Sequence, residues 1–296
     1  MYSIEQLRMF VEAAELGSFS ASARKLGKVQ SAVSQGINNL EIDSNIQLFD
    51  RTTRKPTLTR EGRHLFKQAK AVVLQVESLN GMVESINGGE EDMVRIALDD
   101  SFFIPSLFQI LDIFAEKFPA TEIELISVAS TDVVRLLKEQ KADIGLMYTE
   151  LSVNQDIDVC FIGNIDFKAV CHPEHPLVSL SKVQLVDVIP HRQLMLRGDN
   201  GRCLEQFPPV ASKIWWVNSF NAMKHTVVNG TLGWAYLPYH QVEREVLEGT
   251  LVELNIAIDH KVWCPPVDMV TLNSAKKGPA LYWLQTHLKD VLDPIY

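Results

Sequence analysis

Three observations in the 296-residue sequence predict an α/β protein with a small all-α module at its N-terminus and a larger body of two α/β units behind it. Short helical patterns occupy the first forty residues and meet at Gly27. One long helical pattern follows from Thr59 to about Ser85, with apolar residues spaced alternately by four and three. Beyond residue 90, apolar strand-like runs alternate with helical ones, as in a largely parallel sheet.

Composition bounds the class. With 46% hydrophobic residues the chain can bury more than one core, so two or more domains are expected. The N-terminus carries charge before any long apolar run, and no segment reaches the uninterrupted apolar length of a membrane span. Neither a secretory signal nor a membrane partner is therefore expected. Cys160, Cys171, Cys203 and Cys264 are scattered, without a Cys-x-x-Cys, so no metal site, disulfide framework or cofactor is expected, and a reducing cytoplasm fits. The formal charge of -9 argues against nucleic acid until it is mapped. Residues 20 to 70 hold ten basic against four acidic residues, a net +6, which leaves -15 on the rest. A basic module on an acidic body is the asymmetry of a DNA-binding protein whose body faces away from the DNA.

Residues 3 to 15 read as an amphipathic helix with Ile4, Leu7, Val11 and Ala14 on one face and Ser3 as cap. A second helix is expected to start from Ser20, to turn Ala23 and Leu26 inward and to end at Gly27, where the chain can bend sharply into a third, giving a helix-turn-helix. Val33, Ile37 and Leu40 give that third helix a buried side. Gln30, Ser31, Ser34, Gln35 and Asn38 form an outer face of amides and hydroxyls without charge. Solvated faces are ordinarily rich in Lys and Glu, whereas such a face suits hydrogen bonding to base edges in a major groove. After Ile46, Leu48 and Phe49 return to the core, Arg51, Arg54 and Lys55 cluster beside Pro56 as a wing placed for phosphates or a minor groove. The plainer alternative for each is a solvated basic loop.

Together, Leu7-Arg8-x-Phe10-Val11, Gly17-Ser18-Phe19-Ser20, Ala23-Arg24-x-Leu26, Gln30-Ser31-Ala32-Val33-Ser34, Ile37, Leu40-Glu41, Leu48-Phe49-x-Arg51 and Leu58-Thr59-x-x-Gly62 resemble the winged helix-turn-helix of LysR-type transcriptional regulators. The resemblance implies a DNA-binding domain over 1–58, with double-stranded DNA as partner. The chain departs from the family at Val29, which removes a hydroxyl able to cap the recognition helix and leaves Ser31 as the next candidate cap. It also carries Gly36 within that helix, at a cost of roughly 1 kcal/mol against Ala, as a bare surface for close approach to DNA or a tolerated defect.

Leu65, Ala69, Val72, Val76, Leu79 and Val83 make a heptad seam on the long helix. A seam that narrow calls for a partner, and a second copy of the same helix is the simplest one. The family resemblance likewise implies pairing through this linker helix, placed at 59–88. Two recognition helices on a two-fold axis read an inverted repeat, so the expected assembly is a homodimer or a homotetramer.

Asn87 to Asp92 reads as a flexible acidic break. Strands are then expected at Val94–Leu98, Glu122–Val128 and Asp143–Tyr148, with helices at Ile104–Phe118 and Thr131–Gln140. A second unit, from near Phe161, holds strands at Phe167–Cys171, His191–Leu196, Lys213–Val217 and Gly233–Leu237 and a helix after Ser219. Val267–Leu272 and the helix Pro279–Val291 return to the first unit. This pattern resembles the two-lobed, periplasmic-binding-protein-like effector domain of the same family, over 89–296, with lobe I at about 91–160 and 266–296 and lobe II at about 161–265.

Two lobes place a cleft at the carboxyl ends of their strands. The strand-to-helix junctions supply Ser101, Phe102, Ser130, Thr131, Ser219 and Phe220 as effector-binding candidates, each also explicable as a plain helix cap. Asp99 and Asp100 would repel a carboxylate there, which favours a cationic or polar effector. Arg202 and Cys203 are further effector-binding candidates: Gly201-x-Cys203-Leu204 resembles the reactive-cysteine segment of peroxide-sensing members of the family, and Arg202 beside Cys203 can favour a thiolate, but no second cysteine follows before Trp216. Trp215 and Trp216 sit on opposite faces of a strand, with one of them a candidate for lining the cleft. The expected function is a transcriptional regulator that responds to a small effector, with RNA polymerase as a further candidate partner. Redox sensing at Cys203 is the alternative. An enzyme has nothing specific in its favour, since neither a phosphate loop nor a nucleophile elbow is present, and a solute-binding protein would need an export signal.

Overall fold

The computed structural model describes residues 2–50, 56–150, 155–257, 261–275 and 277–293. The chain divides into two compact units, Met1–Glu84 and Ser85–Tyr296.

In the first unit, α1 (Ile4–Leu16), α2 (Phe19–Lys25) and α3 (Gln30–Ser44) are three short helices, and Gly17 and Gly27 take left-handed backbone at φ 59° and 64° to link them. The first helix is closed by a reciprocal capping box between Ser3 and Gln6. Ser18, not Ser20, caps α2 by accepting from the Ala21 N–H, so that helix begins earlier than expected. Phe10, Val33, Ile37, Leu40 and Leu48 are fully buried between the helices. Phe10 and Phe19 meet Phe49 edge-on at 5.7 and 5.1 Å. β1 (Phe49–Asp50) pairs antiparallel with β2 (Thr57–Leu58). Glu41 receives the Leu48 and Phe49 N–H groups at 2.8 and 3.2 Å, tying the end of α3 to this two-stranded base.

The long helix α4 spans Arg60–Gly88, three residues past the helical pattern that ends near Ser85. Thr59 begins it, with its hydroxyl accepting from the Gly62 N–H at 2.9 Å. Ala69 and Val73 turn onto the N-terminal core, while Val72, Leu79, Met82, Val83 and Ile86 are exposed. The seam is thus partly spent on the module itself and partly left bare.

The second unit holds two five-stranded sheets. The first collects β3 (Met93–Leu98), β4 (Glu122–Ser127), β5 (Ile144–Tyr148), β6 (Ile157–Asn164) and β12 (Pro266–Leu272) in the order β4-β3-β5-β12-β6. The three early strands are parallel, and β12 runs antiparallel to both its neighbours. Helices α5 (Pro105–Lys117), α6 (Ser130–Lys138) and α10 (Pro279–His287) accompany it. The second sheet has the order β11-β7-β10-β8-β9, from β7 (Phe167–Cys171), β8 (Arg192–Leu196), β9 (Lys213–Val217), β10 (Gly233–Pro238) and β11 (Val252–Glu253), with α7 (Leu185–Val188), α8 (Phe220–Asn229) and α9 (Tyr239–Leu247). The chain crosses from one sheet to the other at Ile165–Asp166 and returns through Trp263–Pro265.

Three features differ from expectation, each for a local reason. Strand β6 (Ile157–Asn164) has no counterpart among the expected strands and carries the first sheet past the expected lobe boundary at 160/161, its exposed Val159 and Phe161 blurring the alternation. Helix α9 has no counterpart among the expected elements: Pro238 ends β10 and stands at the N-cap of α9 with φ near -55°. The acidic break after α4 is not loose: the Glu91 carboxylate caps α10 by accepting from Ala280 and Leu281 at 3.0 and 3.2 Å. A 3-10 turn, Leu288–Asp290, completes the last helix.

Candidate functional site

On the first unit, α3 presents the expected two faces. Gln30, Ser31 and Gln35 are exposed, and Ser34 and Asn38 are half-buried. Gln35 donates to Asn39 at 3.0 Å, which holds its amide along the helix surface. The helix has no side-chain cap: Val29 occupies the capping position, and Ser31 lies inside the first turn. Gly36 is not a bare approach surface. A Cβ there would overlap the Met9 sulfur, so this glycine lets α1 pack closely against α3. Arg51, Arg54 and Lys55 lie outside the described residues.

The cationic excess is smaller over the first seventy residues than over residues 20 to 70. Lys25 pairs with Glu12 at 2.8 Å, Lys28 with Glu5 at 2.5 Å and Lys70 with Glu15 at 2.6 Å. Those three glutamates belong to α1, ahead of residue 20. Eleven basic against seven acidic residues leave +4 over the first seventy.

In the second unit the candidate effector residues do converge where the lobes meet, but the protein's own groups already occupy them. Asp99, buried, receives the backbone N–H and hydroxyl of Ser101 at 3.0 and 2.9 Å. It also receives both donors of Ser130 at 3.1 Å. Burial, and then the neighbouring Asp100 charge, push its pKa up to about 7 against those hydrogen bonds. The Tyr148 hydroxyl donates to Ser101 at 2.8 Å, and burial raises that phenol well above its ordinary range. Phe102, Tyr148, Phe167 and Phe220 form a continuous aromatic cluster with ring centres 5.4 to 6.1 Å apart.

Two further carboxylates lock the lobes. Asp100, in the 3-10 turn just after β3, accepts from the Phe220 and Asn221 N–H groups at 2.9 and 2.8 Å, so a lobe I acid sits on the start of α8 in lobe II, where an anionic ligand would sit. Ser219 caps the same helix at Ala222. Asp132, at the start of α6, accepts from Asp199 and Asn200 at 2.7 and 3.3 Å, and Asn200 donates back to the Thr131 carbonyl at 2.8 Å. Gln206 of lobe II donates to the Thr149 carbonyl of lobe I. Beside these ties remains a cleft of about 140 Å³ lined by Asp100, Ala129, Asp132, Asp199, Asn218 and Ser219. Thr131 is buried, with its hydroxyl unpartnered among the described residues.

Arg202 pairs with Glu150 at 3.3 Å and reaches Glu205 at 3.9 Å. Cys203 is half-buried and its backbone bridges to Arg197. Trp215 and Trp216 are exposed and carry Arg192 and Arg197 over their rings at 4.1 and 4.9 Å, rather than lining the cleft. Asp132 and Gln206 carried no signal in the sequence, because a first-turn acid and a loop amide are unremarkable until another lobe is set against them.

Two family models match the chain. A LysR substrate binding domain matches residues 87–293, and a bacterial regulatory helix-turn-helix protein of the lysR family matches residues 4–63. The HTH-type transcriptional regulator AceR of Acinetobacter baumannii is 27% identical over 287 residues, covering 97% of this chain and 96% of the relative. The HTH-type transcriptional activator AllS of Klebsiella pneumoniae is 33% identical over 193 residues, covering 62% and 71%. An OxyR cysteine variant from Corynebacterium glutamicum superposes with a TM-score of 0.52 at 22% identity, covering 98% of this chain and 93% of that one, which is a likeness of fold.

Proposed function

The chain belongs to the LysR family of bacterial helix-turn-helix transcriptional regulators, and from that premise we propose that it reads an inverted-repeat operator as a dimer, or as a tetramer of two dimers, under the control of a small effector in its C-terminal body. The observation that carries the assembly is the bare part of the α4 seam, Val72, Leu79 and Val83, with Met82 and Ile86 exposed alongside it. A row of apolar side chains on one helix is costly in water and is covered when a second copy lies against it. Gln30, Ser31, Ser34, Gln35 and Asn38 then meet base edges, and Arg51, Arg54 and Lys55 meet the backbone. None of the five α3 side chains is an arginine able to take a guanine bidentately, so affinity rests on the flanking cations and on DNA shape.

Signalling works by population shift between lobe arrangements. The Asp100 and Asp132 ties favour the closed one, and an effector acts by changing the balance. Transcription control places the protein with the DNA, in the cytoplasm, and contact with RNA polymerase follows from such a role. Footprinting of the purified full chain on the DNA upstream of its own gene at modest salt tests the reading. Protection of an inverted repeat is the expected result, and no protected site overturns it. Cys203→Ser compared with the wild type, with and without peroxide, is expected to change nothing, and a peroxide response lost in the variant would restore the redox alternative.

A further inference from the structure

Ser31, Gln35 and Asn39 are spaced by four along α3, and all three are exposed, on the side away from buried Val33, Ile37 and Leu40. Within that stripe the Gln35 side chain donates from Nε2 to Asn39 Oδ1 at 3.0 Å. Amide pairs at this spacing hold each other along a helix surface. Asn39 is not one of the five α3 residues expected to meet bases, yet it governs what one of them can offer.

A free glutamine amide carries two N–H donors and one carbonyl oxygen, so it can set a donor beside an acceptor or turn both N–H groups forward. In Gln35 one N–H is spent on Asn39, and what remains is one acceptor beside one donor. Of the four bases, adenine alone shows the major groove a donor, its N6 amino group, beside an acceptor, N7. Guanine shows two acceptors, N7 and O6, cytosine an amino donor, and thymine an acceptor next to a methyl group. An amide with both N–H groups free can donate to the two guanine acceptors, and the tie to Asn39 removes that option. The outward face of α3 adds no charge of its own, since Gln30, Ser31, Ser34, Asn38 and Asn39 are all neutral.

We propose that Gln35 reads an adenine in each half-site through its Oε1 and its remaining N–H, and that Asn39 is a positioning residue that excludes guanine there. The proposal rests on the reading of the chain as an operator-binding dimer. Selection of the full chain on duplex DNA with a randomised core is expected to return an inverted repeat in which one adenine per half-site becomes degenerate in Gln35→Ala. Both side chains are exposed and alanine favours a helix, so the alanine variants keep the fold. The wild type is expected to prefer adenine about tenfold over each other base at that position, the scale of a bidentate pair. Replacing that adenine by 7-deazaadenine, which lacks the N7 acceptor, is expected to weaken wild-type binding about threefold, the worth of one neutral hydrogen bond, and to leave Gln35→Ala unchanged. Asn39→Ala is expected to lower the preference over guanine to about threefold, again one hydrogen bond, while the preference over cytosine and thymine stays. Asn39→Asp keeps an oxygen for the Gln35 N–H and is expected to hold the wild-type adenine-to-guanine ratio, even where its charge weakens binding to every sequence alike. A merely structural role for Asn39 would lower all affinities together and leave that ratio untouched in both variants. An inverted repeat whose preferences all survive Gln35→Ala, or whose lost position is not an adenine, overturns the proposal alone. Wild-type indifference to 7-deazaadenine does the same, as does an unchanged adenine-to-guanine ratio in Asn39→Ala. A selection that enriches no repeat overturns the regulatory reading beneath it.

Discussion

Asp100→Ala is the sharpest perturbation of the lobe contact. The Asp100 carboxylate accepts two backbone N–H groups from the first turn of α8, at 2.9 and 2.8 Å. Hydrogen bonds to a charged acceptor are worth about 1.5–3 kcal/mol each when buried. Asp100 is only half-buried, so about 1 kcal/mol each, roughly 2 kcal/mol together, is the appropriate scale for a part-exposed site. That corresponds to about 30-fold in the opening equilibrium of the contact, at 1.4 kcal/mol per factor of ten. Amide hydrogen exchange of Phe220 and Asn221 reads this opening directly, and both are expected to exchange about 30-fold faster in the variant. Asp100→Asn keeps one acceptor oxygen and is expected to show about half the effect in free energy, near fivefold. Ser219→Ala removes the ordinary cap and is expected to move mainly Ala222, whose N–H it binds at 3.0 Å. Exchange at Phe220 and Asn221 within twofold of the wild type in Asp100→Ala would refute the reasoning, as would an equal increase there from Ser219→Ala.

Gly36→Ala should gain roughly 1 kcal/mol of helix propensity, but the new Cβ overlaps the Met9 sulfur, and overpacking costs about 1–3 kcal/mol. A lowered melting temperature that Met9→Ala partly restores is expected, and a stabilised single variant would contradict the packing account. Asp99 titrates near pH 7 in the folded protein rather than near its ordinary value, so between those limits the folded state holds a proton that the unfolded chain has released. Its stabilising contribution is complete below the unfolded pKa and is lost as pH rises through 7, with a slope of at most about 1.4 kcal/mol per pH unit. The wild-type stability relative to Asp99→Asn in urea melts should therefore fall from pH 5 to 8, and a flat difference refutes it. His175, pushed down to about 4 by burial and His191, slopes the other way below pH 6.5 and cancels in that difference. Leu79→Lys, on the exposed seam of α4, should shift sedimentation from dimer to monomer and weaken operator binding at least tenfold, as expected for a reader that needs both half-sites. An unchanged sedimentation coefficient would remove the seam from the interface.

The helix-turn-helix was readable because its signals are local. A glycine with left-handed backbone at Gly27, the buried triplet Val33, Ile37 and Leu40, and a polar outer face all lie within twenty residues. The alternation of strands and helices was likewise local, and most strands fall within a residue or two of expectation. Misreadings arose where one short signal had two uses. Ser18 and Ser20 are equally good caps by residue type, and backbone direction decides for Ser18. Pro238 can end a strand and also precede a helix, and here it does both.

The sequence by itself determined the class of protein, the order of its elements and the face of α3 turned outward, because hydrophobic period and turn residues act over one or two helical turns. Tertiary structure alone decided what the junction residues do. Asp99 and Asp100 lie at a β3–α5 junction that looks open to a ligand, and Asp132 in an unremarkable first turn of α6, yet their hydrogen bonds run to groups up to 121 residues away. Gly36 is likewise explained by Met9, 27 positions earlier on another helix. Partners that distant in sequence leave no periodic trace, so whether a carboxylate repels a ligand or replaces one is settled only when the lobes are packed together.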